Sequence, residues 1–187
     1  DFVAQVRGAG HDVSRLDIGG GFPIQYKDES LLDLSAYAAW VRDIILPLEA
    51  ELILEPGRYL VGNAGVLLTQ AQFVKKTQDK DFLVTDAGMT ELIRPALYDA
   101  YHDIQALAQN DGPVETYDIV GPICETGDTF TKARTLPAMT ANDLLVIHSA
   151  GAYGAVQASQ YNTRPLVPEV LVKGDQYSVI RTRPTVE

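Results

Sequence analysis

A short α/β segment followed by a mostly antiparallel β region is the architecture this sequence predicts. Three observations predict it. Strand-like SRLDIGGGF and ELILEPGR bracket a helical pattern, the order of a βαβ unit with parallel strands. After Arg58 the apolar period shortens from helical spacing towards alternation. Beyond that point six strand-like runs follow one another between turn signals.

The first element is a helix over residues 1–10, where Phe2, Val3 and Val6 recur at helical spacing before Gly8 and Gly10. SRLDIGGGF then reads as a short buried strand that breaks into glycine. Residues 30–46 carry Leu31, Leu32, Leu34, Ala38, Val41, Ile44 and Ile45, an amphipathic pattern with Ser30 as candidate cap. ELILEPGR is a second short buried strand, ending at Pro56-Gly57. The later runs are VLLTQAQFVKKT, DFLVTDAGM, ETYDIVGP, DLLVIHSAG, PEVLV and QYSVIRTR, interrupted by one helical or irregular stretch near Leu92–Leu107. A boundary is expected near residues 58–62. The first part holds too few strand–helix steps to cover both faces of a parallel sheet, so it needs further sequence around it.

Composition limits the partners. The 187 residues include 25 acidic and 15 basic side chains, a net charge of −10, which opposes a duplex nucleic acid or an anionic membrane as partner. No apolar run is long enough to suggest a membrane span, and the N-terminus has no signal-like core. A lone cysteine, Cys124, excludes an internal disulfide and a multi-cysteine metal site and fits a reducing, cytoplasmic setting. No metal site is expected. The start without Met, inside a helical pattern, suggests a fragment.

Several motifs carry chemistry. Gly19, Gly20 and Gly21 follow a strand, where backbone N–H groups free of Cβ atoms can approach a phosphate. An ordinary tight turn is the alternative, and the spacing is not that of a nucleotide loop. Glu55-Pro56-Gly57-Arg58 lies at the C-terminal end of the second strand, where parallel α/β folds build their sites. Gly57 offers a backbone N–H and Arg58 a forked cation. A buried Glu55 would need a cationic or donor partner, and a protonated pyridine nitrogen is one; a surface ion pair is the alternative. Arg94 and Tyr98 are one helical turn apart, a pairing suited to a carboxylate. Pro95 follows Arg94 directly, so a helix begins there at the earliest. His102 reads first as a satisfied structural histidine. Cys124 beside Glu125 is not activated by that carboxylate, and a lone cysteine is most simply a small buried residue. Glu125 suits an ammonium group or solvent. Tyr153, between Gly151 and Gly154, is an exposed phenol or an ordinary turn tyrosine.

Taken in order, DIGGGF, LEPGRYLV, DAGMTELIRPALYDAYH, VGPICETGD, GAYGAVQASQYNTRP and PEVLV resemble the C-terminal half of the diaminopimelate decarboxylases. These are fold-type III, alanine-racemase-like enzymes that use pyridoxal 5'-phosphate (PLP). The resemblance runs from about Asp17 to Arg183. It implies that residues 1–60 end a PLP-binding (β/α)8 barrel and residues 61–187 form a C-terminal β-rich domain. It implies decarboxylation of meso-2,6-diaminopimelate to L-lysine and CO2, in a homodimer with shared active sites.

Residue roles follow from the resemblance alone. Gly19, Gly20, Gly21, Gly57 and Tyr153 hold the PLP phosphate, with Arg58 beside them. Glu55 pairs with the pyridine nitrogen. Arg58, Arg94, Tyr98 and Tyr153 bind substrate, the first three at the carboxylate remote from the reaction. Cys124 and Glu125 reach the neighbouring subunit's site, Glu125 meeting the distal ammonium. Glu55 and Cys124 are the catalytic candidates. The family's cofactor-bearing lysine and a ring-stacking histidine belong to its N-terminal half. Lys27, Lys75, Lys76, Lys80, Lys132 and Lys173 do not sit in the expected context, so the chain alone is expected to be inactive. Thr90-Glu91 replaces an expected Asn-Asp. An ornithine or arginine decarboxylase is the nearest alternative, and a non-catalytic regulatory homologue the next.

Overall fold

The computed structural model describes residues 2–108 and 112–185 and divides into two compact units, Asp1–Leu60 and Val61–Glu187. The first opens with α1 (Phe2–Gly8), whose Val3 is buried, and β1 (Arg15–Asp17). The predicted helix begins later than its apolar pattern: α2 spans Leu34–Trp40. Its cap is Asp33, not Ser30. The Asp33 carboxylate accepts from Ser35 N and Ala36 N at 2.9 and 3.0 Å, satisfying donors that a helix start leaves open. After Trp40 the helix widens into a π turn, Val41–Ile45, and tightens into a 3-10 turn, Leu46–Leu48. Glu49 in the left-handed region, φ 52°, ends it. β2 (Glu51–Ile53) pairs parallel with β1, Leu16 opposite Leu52, as a βαβ unit requires.

Neither strand is buried as the sequence reading expected. In both β1 and β2 the two outer residues are exposed and only the middle one is partly covered. A parallel sheet needs layers on both faces, and here the chain provides two strands and one main helix. Phe22 supplies local packing instead, with ring centroids 5.1 Å from Tyr37 and 5.9 Å from Tyr59. α3 (Gly57–Val61) leads out of this unit.

The second unit encloses its own core. Its strands are β3 (Leu67–Lys76), β4 (Asp81–Thr85), β5 (Ile104–Ala106), β6 (Val114–Val120), β7 (Thr129–Pro137) and β8 (Leu144–Ile147), in spatial order β5-β8-β3-β4-β6-β7. β4 and β6 run parallel; the other neighbours are antiparallel. Leu83, Tyr117, Ile119, Leu145 and Ile147 are fully buried between them, each stabilising the fold by about 1.5–3 kcal/mol. Strand β7 was passed over in the sequence because TFTKARTLP offers only Phe130 and Leu136 as large apolar inward residues. Likewise, the stretch near Leu92–Leu107 is a single helical turn, α4 (Arg94–Tyr98), followed by β5.

The sheet curls until its outermost strands nearly meet, forming a nearly closed barrel. Arg134 of β7 bridges this seam, donating to Asp103 Oδ1 at 2.9 Å, Tyr101 OH at 3.0 Å and His102 O at 3.0 Å. A separate antiparallel hairpin, β9 (Glu169–Lys173) and β10 (Gln176–Arg181), follows. The architecture is thus α/β elements of a barrel followed by a mostly antiparallel β domain. No described helix is long and apolar enough to cross a membrane.

Candidate functional site

In the first unit, the glycine turn and the Glu55 segment lie at the same end of the parallel strand pair. The Asp17 carboxylate accepts from Gly19 N at 2.8 Å, and Glu55 N donates to Gly19 O at 2.9 Å. Gly19 and Gly21 have φ of 74° and 79°, conformations that side chains strain. A Cβ on Gly20 would lie 2.6 Å from the Glu55 carbonyl oxygen. Only glycine fits that approach, and the turn presents backbone rather than side chains. This is the cradle an anionic group requires. Glu55 is exposed in this chain rather than buried, and Arg58 is half-buried. Gly57 N is committed to the Glu55 carbonyl at 2.9 Å, so as placed it closes the turn rather than facing outward. A Cβ-free backbone turn hydrogen-bonded to the segment that carries a carboxylate is the donor and acceptor set that a phosphorylated, protonated ring would need.

In the second unit, α4 places Arg94 and Tyr98 very differently. Arg94 is only 8% exposed, whereas Tyr98 is 59% exposed. Arg94 Nη1 bonds His102 Nε2 at 2.9 Å, and His102 Nδ1 meets the His148 carbonyl at 2.8 Å. A guanidinium only donates, so Nε2 accepts and the proton sits on Nδ1. Burial, reinforced by the Arg94 charge, holds this imidazole below the usual histidine range. The guanidinium carbon lies 6.0 Å from the centroid of the Tyr153 ring, within cation–π reach. Tyr153 itself has φ 59° and is exposed.

The Cys124–Glu125 loop is organised by a residue the sequence reading did not single out. Asp128 is 4% exposed. Its carboxylate accepts from Met89 N at 2.6 Å and Ile123 N at 2.7 Å. It therefore ties the Gly88-Met89 turn to the loop carrying Cys124. Its oxygens press against Gly88 and Gly121, where any Cβ would collide with them. Burial pushes this carboxyl up, against the two backbone donors that lower it. Cys124 is exposed, not buried as expected of a lone cysteine; it lies in a surface turn closed by the 2.8 Å Glu125 N to Ile123 O bond rather than in a strand facing the core. Glu125 is exposed too, its Oε1 accepting from Gly127 N at 3.3 Å.

Thr90-Glu91 replaces the expected Asn-Asp with a self-contained lock. Buried Glu91 accepts from Gly88 N at 2.7 Å and Thr90 Oγ1 at 2.8 Å, and lies 3.6 Å from Arg164 Nε. Arg164 also donates to Asp86 O at 2.5 Å. A Gly-Asp pair within a loop hints at Asp128 in the sequence, but neither its burial nor that of Glu91 is readable there.

Comparison with known proteins identifies the family. Residues 11–151 match the family described as pyridoxal-dependent decarboxylase, C-terminal sheet domain. The diaminopimelate decarboxylase of Neisseria meningitidis serogroup B is 54% identical over 175 residues, 94% of this chain and 42% of that protein. The Pseudomonas fluorescens diaminopimelate decarboxylase is 51% identical over 171 residues, 91% of this chain and 41% of that protein. Among solved structures, diaminopimelate decarboxylase from Helicobacter pylori complexed with L-lysine superposes with a TM-score of 0.90 at 37% identity. That match covers 97% of this chain and 45% of that one. The chain thus spans less than half the length of the relatives it matches. With the family pattern extending over most of its residues and the sheet closing as described, this chain belongs to the pyridoxal-dependent decarboxylases and carries their C-terminal sheet domain.

Proposed function

We propose that this chain is the C-terminal portion of a PLP-dependent diaminopimelate decarboxylase that forms L-lysine and CO2 in the cytoplasm. The observation that carries the reading is the buried Arg94, held by His102 and faced by the Tyr153 ring. A buried cation faced by an aromatic ring is suited to a second carboxylate on the substrate. An identity of 54% to a diaminopimelate decarboxylase supports the same substrate.

In this reading the glycine turn Gly19–Gly21, Gly57 and Tyr153 hold the phosphate, the turn by its Cβ-free backbone. Gly57 N would exchange its present carbonyl partner for the phosphate. The Glu55 carboxylate would accept a hydrogen bond from the ring N–H and so hold the proton on the ring nitrogen. When bound, the cofactor accepts the electron pair left as CO2 departs. Arg58, Arg94 and Tyr98 anchor the distal carboxylate. Glu125 meets the distal ammonium, and with Cys124 it serves the site of the neighbouring subunit in a homodimer. Two-point anchorage of one amino-acid end presents the other in a single orientation, which is where most of the residues' contribution lies.

The test is CO2 and lysine release from diaminopimelate by the full-length PLP-loaded enzyme. Release from ornithine or arginine with none from diaminopimelate would assign the nearest alternative substrate class. No release from any of the three would assign a non-catalytic homologue. Mixing inactive Glu55→Ala and Glu125→Ala enzymes should restore part of the activity through hybrid dimers that retain one intact site. No restoration despite demonstrated subunit exchange would remove Glu125 from the neighbour's site.

A further inference from the structure

We propose that His102 is a positioning residue for Arg94: its ring, anchored on the His148 carbonyl, aims the guanidinium at the substrate's distal carboxylate. The inference rests on reading Arg94 as the carboxylate-binding group.

Local geometry brings the two residues together. α4 ends at Asp99 in the left-handed conformation, φ 53°, so the chain reverses and carries His102 back against Arg94 eight residues earlier. His102 lies two residues before β5, and His148 directly follows β8, the strand that pairs with β5. The ladder continues at this point, because His148 N donates to Asp103 O at 2.9 Å. The ring is therefore fastened to two paired strands, one through its own backbone and one through the 2.8 Å Nδ1 bond. An arginine side chain has many rotamers, and a fixed acceptor selects among them.

The choice of imidazole has a chemical consequence. In the Nδ1–H form it offers a neutral acceptor at Nε2. A carboxylate at the same place would orient the guanidinium equally well but oppose its charge. A neutral ring accepts from one guanidinium N–H without opposing the positive charge. The Tyr153 ring at 6.0 Å acts in the same sense. His102 is 2% exposed, and both nitrogens are engaged. Its role is therefore orientation of Arg94 rather than proton exchange with substrate.

Two substitutions separate the two bonds. In His102→Asn the side-chain amide sits where Nδ1 was and keeps the anchor to the His148 carbonyl, but no acceptor reaches Arg94. In His102→Gln the amide oxygen sits where Nε2 was and keeps that acceptor. In the full-length PLP-loaded enzyme, His102→Asn should raise KM for diaminopimelate about tenfold or more, with kcat falling by less. His102→Gln should stay within about threefold of the parent. The double variant Arg94→Ala/His102→Asn should be no worse than Arg94→Ala, since the two residues act as one unit.

Unchanged KM in folded His102→Asn, with KM raised in Arg94→Ala, would overturn the positioning role and leave the carboxylate reading standing. Unchanged KM in Arg94→Ala would overturn the carboxylate reading and the inference with it. Multiplying effects in the double variant would place the action of His102 elsewhere. If His102→Asn does not fold, His102→Gln decides: a KM raised as far as in Arg94→Ala overturns the proposal.

Discussion

The two units of this chain use similar proportions of apolar residues with opposite results. In residues 61–185 six strands curl into a sheet whose interior excludes water from Leu83, Tyr117, Ile119, Leu145 and Ile147. In residues 2–60 two strands and their helix leave Leu31, Leu34, Trp40, Ile44 and Leu46 largely exposed. An antiparallel sheet that closes on itself buries one face without outside help, whereas a parallel pair needs layers on both sides. The difference teaches where stability and site-building are separate tasks. The self-contained unit fixes Arg94 and the Cys124 loop by buried hydrogen bonds. The open unit offers its glycine turn through backbone conformation alone.

The contrast can be broken most directly by truncating an apolar side chain in each unit. Leu83→Ala, in the closed core, should cost about 3 kcal/mol in urea denaturation. Leu52→Ala, in half-covered β2, should cost less than about 1 kcal/mol, in proportion to its smaller burial. Equal costs would mean that the first unit has a core of the same quality. Asp128→Ala comes next, at about 2 kcal/mol, because Met89 N and Ile123 N lose their acceptor inside the fold. Hydrogen exchange should then show the Ile123–Glu125 amides losing protection while those of β3 and β8 keep theirs.

Smaller effects sharpen the comparison. Asp33→Ala should destabilise by about 1 kcal/mol through the lost helix cap, and Ser30→Ala by less than about 0.5 kcal/mol. Equal values would return the cap to Ser30. The pH dependence tests the buried histidine. Unfolded His102 takes a proton near its ordinary value of about 6.5, whereas burial and Arg94 hold the folded ring below that. Unfolding therefore binds a proton. The contribution is fully present above about 6.5 and is lost as pH falls from there towards the depressed folded value. Asp128 acts in the opposite direction, since its raised carboxyl binds a proton more readily folded than unfolded. The urea midpoint of His102→Gln should accordingly fall less than that of the parent between pH 7.5 and 5, while Asp128 variants should not flatten the loss.

Legibility differed residue by residue. The βαβ order was readable because Leu16 and Leu52 sit in short apolar runs that break at glycine and at Pro-Gly. The helix start was misplaced by three residues because Leu31 and Leu32 extend the apolar pattern beyond the point where Asp33 caps the backbone. β7 is hard to read because only Phe130 and Leu136 are large apolar inward residues, while Lys132, Ala133 and Thr135 face solvent and Arg134 is spent on the seam. Arg94 and Tyr98 look equivalent at one-turn spacing, yet one is buried and the other exposed, since they stand at opposite ends of a single turn and the chain reverses at Asp99 directly after Tyr98.

By itself the sequence determined the succession of elements, the glycine and Pro-Gly-Arg turns, and the ordered motifs that mark the family. Those features depend on residues close together in the chain, where periodicity and backbone chemistry act locally. Only the tertiary structure decided that His102 bonds Arg94, that Asp128 ties two loops, and that Arg134 closes the seam. The Met89–Asp128 and Arg134–Asp103 bonds join segments that the sheet order brings together, whereas the Arg94–His102 bond follows from the chain reversal at Asp99 and the pairing of β5 with β8 that fixes the ring. Burial, which converts an ordinary polar contact into a fixed one, does not exist until the sheet has curled.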